Sequence, residues 1–72
     1  MERYANRSGN SPITYYQIDK ESITVWFKGN NKPYTYSYGG ASASNVETMK
    51  KLAKSGSGLS AFITRNVRYD YD

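Results

Sequence analysis

Cysteine and histidine are both absent from the 72 residues, and only two prolines occur. Without cysteine there is no disulfide, no thiolate metal site and no thiol nucleophile. Without histidine the commonest general base and the commonest zinc ligand are missing as well. Acidic residues are few, six against ten Lys and Arg, and the resulting +4 favours polyanions or acidic surfaces as partners. No apolar run approaches the ~20 residues of a membrane span, and the first residues lack the apolar stretch of a signal peptide. A cytoplasmic protein with no membrane partner is therefore expected. Nothing in the composition calls for a cofactor or a metal. A chain of this length makes one domain and buries only about 60% of its unfolded surface, so packing must replace the missing staples. What is plentiful is tyrosine: eight residues, beside two Phe and one Trp.

Tyr34-Thr35-Tyr36-Ser37-Tyr38 is the organising stretch. Its tyrosines at i, i+2 and i+4 fall on one face of an extended strand and its hydroxyl residues on the other. Two β-rich runs precede it, Ile13 to Ile18 and Ser22 to Lys28, separated by the polar turn Asp19-Lys20-Glu21-Ser22. A second turn, Gly29-Asn30-Asn31-Lys32, ends at Pro33. These pieces predict a three-stranded antiparallel meander. A loop centred on Asn30-Asn31 pairs Phe27 with Tyr34, Val25 with Tyr36 and Ile23 with Tyr38. A loop at Lys20-Glu21 pairs Ile23 with Ile18 and Val25 with Tyr16. The apolar residues then share one face, and Tyr15 lies across from Trp26 on the other, among Gln17, Thr24, Lys28, Thr35 and Ser37.

Two short helices should cover the apolar face, making the fold α+β. Ser44-Asn45-Val46-Glu47 has the spacing of a capping box, with a helix to about Lys54 and a glycine stop at Gly56. Val46, Met49, Leu52 and Ala53 form its core stripe, and Glu47 is placed to pair with Lys51. Leu59, Phe62, Ile63 and Val67 form a second helical face. Residues 1–11, polar and turn-rich, read as a flexible arm preceding a domain over 12–72. Tyr69-Asp70-Tyr71-Asp72 either follows a sheet edge or frays.

The Tyr34-x-Tyr36 centre, the preceding Ile23-x-Val25-x-Phe27 and the later Ser55-Gly56-Ser57-Gly58-Leu59-Ser60-Ala61-Phe62-Ile63 resemble, in this order, the KTSC domain. That family comprises small stand-alone bacterial proteins and C-terminal domains of some lysyl-tRNA synthetases. The resemblance runs from about Ser11 to Tyr69. Many members continue from Tyr-x-Tyr into a Val-Pro segment, where this chain has Ser37-Tyr38-Gly39-Gly40, so the sheet-to-helix connection should differ. The resemblance implies no established activity; RNA binding has been suggested for the family.

The candidate sites follow from these faces. The tyrosine ladder is either a stacking platform for bases or core, and the periodicity favours core. Tyr15 and Trp26, next to Lys28, suit base stacking or a protein hot spot; the alternative is simple cross-strand stabilisation. Lys50, Lys51, Lys54, Arg65 and Arg68 form a phosphate-binding edge or an ordinary solvated helix face. Ser55 to Gly58 lacks the lysine of a phosphate-binding loop and reads as a hinge. Asp70 and Asp72 make at best a loose cation site. With its carboxylates scattered and no histidine or cysteine, the chain reads as a non-enzymatic binding module. Its expected partner is RNA or another single-stranded nucleic acid, with docking of a protein partner or of itself as the alternative.

Overall fold

The computed structural model describes all 72 residues. Four antiparallel strands, β1 (Glu2–Arg3), β2 (Ile13–Asp19), β3 (Ser22–Phe27) and β4 (Tyr34–Ser37), lie in sequence order in one sheet. Helices α1 (Tyr38–Ala41), α2 (Ala43–Ser55) and α3 (Leu59–Phe62) follow, and α3 runs on into a π-helical turn, Ile63–Val67. They pack on one sheet face, over a core that includes Ile13, Ile23, Val25, Tyr36, Val46, Met49, Leu59 and Val67. The architecture is the expected α+β meander with one strand and one short helix more, Tyr38 opening α1 instead of ending the tyrosine strand.

The extra strand comes from the stretch read as a flexible arm. Glu2 and Arg3 pair with Tyr16 and Tyr15, and the Tyr4 amide donates to the Thr14 carbonyl at 2.9 Å. Tyr4 is only 4% exposed, and the Leu59 amide donates to its hydroxyl at 3.4 Å. Further on, the Arg7 amide reaches the Gly56 carbonyl at 2.7 Å, and its Nε reaches the Ser55 carbonyl at 2.8 Å. A two-residue strand is too short to show a period, which is why the polar composition gave the wrong expectation here.

The turn between β2 and β3 forms at Lys20-Glu21 as expected, with Ile18 opposite Ile23 and Tyr16 opposite Val25. The pairing of β3 with β4 is two residues off the expected one: Val25 faces Tyr34 and Ile23 faces Tyr36. The cause is the turn. The Asn30 amide closes onto the Phe27 carbonyl at 3.1 Å around Gly29 at φ +77°, so the chain reverses one residue earlier than Asn30-Asn31. An even slip leaves the side chains of Tyr34 to Ser37 on their expected faces. Phe27 and Tyr34 still meet edge to face at 5.5 Å.

The cap of α2 also differs. Ser42, not Ser44, precedes the helix and accepts from the Asn45 amide at 3.4 Å. Glu47 turns to Tyr38 and Lys50 instead of reaching back along the chain or pairing with Lys51 as expected. At the other end Gly56 sits at φ +82°, and its amide donates to the Leu52 carbonyl. A Cβ on Gly56 would also lie 2.6 Å from that of Ala5. Two constraints thus meet at one glycine, the helix stop and the docking of the first strand.

Two outcomes test this packing. Tyr36, 1% exposed under α2, should cost about 3–5 kcal/mol when replaced by Ala, read from denaturant unfolding. Gly56→Ala should cost at least about 1–2 kcal/mol for its backbone conformation, and more for the clash with Ala5. Amide exchange in the first strand should accelerate in the same variant. A Gly56→Ala protein as stable as the parent would contradict the docking.

Candidate functional site

The helices cover one face of the sheet and leave the other open. Pleating puts Tyr15, Gln17, Thr24, Trp26 and Thr35 on the open side, with Tyr15 directly across from Trp26. A bulge at Thr14 lies just before this pair and breaks the alternation between Ile13 and Tyr15. Ile13 can then turn into the core while Tyr15 remains outside. The Thr14 hydroxyl donates to the Trp26 carbonyl at 3.2 Å and ties the bulge to the neighbouring strand.

Tyr15 is 40% exposed and Trp26 half-buried. A depression of about 310 Å³ lies beside them, lined by Thr14, Lys28, Gly29 and Asn31 as well as both rings. A second, of about 350 Å³, lies on the β1 side of Tyr15 and includes Arg3, Asn6 and Thr14. The first strand therefore does not lie over the aromatic pair. It extends the sheet and sets Arg3 opposite Tyr15. Across the floor, Thr24 and Thr35 join their hydroxyls at 2.9 Å. The result is an aromatic pair on a polar floor between two cations.

The helical cations lie elsewhere. Because α2 covers the apolar face, exposed Lys51 and Lys54 are in the helical layer, away from Tyr15 and Trp26. Arg65 and Arg68 are exposed on the π-helical turn and just after it, and the Arg68 guanidinium lies 5.4 Å from the centre of the Tyr69 ring. Lys50 does not belong to a phosphate edge at all. It is 9% exposed, its Nζ donates to the Lys20 carbonyl at 3.0 Å, and it pairs with Glu47 at 2.9 Å. Burial of its stem and satisfaction of its donors make it a tie between α2 and the β2–β3 turn. Tyr15, Trp26 and Lys28 come together as expected; the helical residues do not join them.

Arg3 is the member of this surface that sequence reasoning placed only in a loose arm. Its position follows from Tyr4: burial of one ring forces the preceding side chain outward.

The Lys50 tie continues to Tyr38, whose hydroxyl donates to Glu47 at 2.6 Å. This hydrogen bond, with Lys50 adding to it, holds the Glu47 carboxyl below its ordinary range, and the same bond raises the Tyr38 phenol. Burial, reinforced by Tyr71, Tyr34 and Asp70, pushes the Tyr36 phenol up to about 12. None of these groups faces the open side of the sheet.

No protein-family model, curated protein or solved structure matches this chain.

The titrations give opposite signs at the two ends of the pH scale. The unfolded chain releases the tyrosine protons near 10, whereas folded Tyr36 and Tyr38 hold theirs higher. Their contribution is full below 10 and is lost as pH rises through the folded values, about 12 for Tyr36. Glu47 is the reverse, contributing above its ordinary value of 4.5 and losing this as pH falls through its lowered one. Urea midpoints should therefore be flat in between and fall on both sides. Tyr38→Phe should reduce the acid-side fall and leave the Tyr36 part of the alkaline fall; an unchanged acid limb would contradict the Tyr38–Glu47 link.

Proposed function

We propose that this protein is a non-enzymatic binding module that takes single-stranded nucleic acid, RNA in particular, across the open face of its sheet. The observation that carries the reading is the cross-strand pair of Tyr15 and Trp26 on an uncovered face, between Arg3 and Lys28. Aromatic rings at a sheet surface accept unstacked bases regardless of sequence, and flanking cations take the phosphates. Thr24 and Thr35 supply hydroxyls at the level of the rings. The +4 charge adds a general attraction to polyanions. The resemblance to the KTSC domain points in the same direction. No helix is long and apolar enough to cross a membrane, and no cluster of carboxylates stands ready to hold a metal ion.

Trp26 is the single tryptophan, so its fluorescence reports on the proposed site directly. Titration with labelled single-stranded RNA should quench it, with affinity falling as salt rises. Trp26→Ala, followed through the label on the RNA, should weaken binding by about 1–3 kcal/mol, roughly 5- to 150-fold. Arg3→Ala and Lys28→Ala should each flatten the log–log salt slope by about 0.7, whereas Lys51→Ala and Lys54→Ala should leave it unchanged. Absence of binding at micromolar protein in low salt would end the nucleic-acid reading. The same aromatic face would then be assigned to a protein partner, for which a salt-insensitive interaction dependent on Trp26 is the signature.

A further inference from the structure

A different part of the molecule, the outer edge of β4, carries an inference independent of the aromatic face. In β4, Tyr34 and Tyr36 turn their backbone groups towards β3, as the continuing bond from the Tyr38 amide to the Glu21 carbonyl shows. Thr35 and Ser37 turn theirs outward. One rung of this outer edge is taken by the end of the same chain: the Asp72 amide donates to the Thr35 carbonyl at 2.7 Å. The Ser37 hydroxyl donates to the Asp72 carboxylate at 2.8 Å, and the Tyr71 ring packs edge to face on Tyr34 at 4.7 Å and on Tyr36 at 6.2 Å.

Sheet edges are ordinarily protected by charge, by proline inside the strand or by a bulge. Here no charged residue occurs between Lys32 and Glu47, and Tyr34-Thr35-Tyr36-Ser37 is a regular, strongly β-prone run. The only carboxylates against this edge, Asp70 and Asp72, belong to the covering segment. That cover is slight. It contributes one backbone rung, Tyr71 stays 42% exposed and Tyr69 is exposed altogether. It also depends on Gly40, where a Cβ would stand 3.1 Å from the Asp70 carbonyl oxygen and 3.3 Å from the Asp72 carboxylate.

We propose that the edge of β4 is a self-association surface whose partner is a second copy of this chain, and that Tyr69–Asp72 holds it closed. With the segment displaced, two β4 strands pair antiparallel about a two-fold axis at Tyr36, Thr35 of each opposite Ser37 of the other. That register sets the outward backbone groups of Thr35 against those of Ser37, the Thr35 carbonyl receiving the Ser37 amide, and joins the two sheets into one. It is isologous, so it closes at the dimer and leaves no further β4 edge to propagate.

Sedimentation velocity from micromolar to near-millimolar protein tests this, with circular dichroism confirming the fold. The parent chain should remain a monomer over most of the range. Tyr71→Ser combined with Asp72→Pro removes the anchoring ring and the rung, and should dimerise at a concentration at least tenfold lower. Gly40→Val, which displaces the segment sterically, should do the same with the segment intact. Adding Thr35→Pro or Ser37→Lys to either should restore the monomer, because the first deletes an outward amide and the second sets like charges near the axis. Trp26→Ala should leave the dimer unaffected. Opened variants that stay monomeric throughout, or a dimer that survives both edge substitutions, would overturn the proposal.

Discussion

The pleat of β3 places Ile23 and Val25 on one side and Thr24 and Trp26 on the other, and the helices hold enough apolar surface to cover only the first. Most other features follow from this asymmetry. The face with Ile23, Val25 and Tyr36 must be dry, so α2 brings Val46 and Met49 onto it and α3 brings Leu59. The other face must be compatible with water, and its hydroxyls, pairing with one another, make it so. An aromatic pair among such residues is then the exception on its surface. Cross-strand stabilisation alone would be satisfied by β-branched pairs worth about the same 0.2–1 kcal/mol.

With no disulfide to staple it, the domain adds to its core the packing of its first and last described residues. The first residues add a strand, bury Tyr4 and hydrogen-bond the close of α2; the last residues lie along β4. Each end meets a glycine whose missing side chain makes room, Gly56 for Ala5 and Gly40 for Asp70. The two contacts differ in depth. The first combines a fully buried ring with several backbone bonds, whereas the last is a single rung with a half-exposed ring. Separation of the first would open the core, and separation of the last would uncover only an edge.

Much of this was legible in the sequence, for identifiable reasons. Alternation in Ile23-Thr24-Val25-Trp26-Phe27 and in the tyrosine run fixes faces, and faces survive an even error in register. The open Tyr15/Trp26 pair was therefore recoverable although the β3–β4 pairing was two residues out. Helical spacing of Val46, Met49 and Ala53, and of Leu59, Ile63 and Val67, likewise marked the covering layer. Features that depend on distant parts of the chain were not legible. The docking of the first strand meets the helix end at Gly56, and Glu47 is drawn to Tyr38 and Lys50 while Ser42 takes the cap. Lys50 looked like its neighbours Lys51 and Lys54 because one helical position separates a solvated ammonium from one held by a carbonyl of the β2–β3 turn.

The bulge at Thr14 joins the two halves of the molecule. In a regular β2, Ile13 and Tyr15 would share a face, so either a fully apolar side chain would lie in water or a tyrosine would compete for the core. One additional residue removes the conflict, sending Ile13 inward beside Phe27 and leaving Tyr15 against Trp26. The bulge also leaves the Trp26 carbonyl a partner in the Thr14 hydroxyl, so the platform is fixed by the same local irregularity that completes the core. Bulges are enriched where a strand must re-aim a side chain. The irregularity thus serves the core through Ile13, while the unbroken pairing from Tyr15 to Asp19 holds the exposed ring against Trp26.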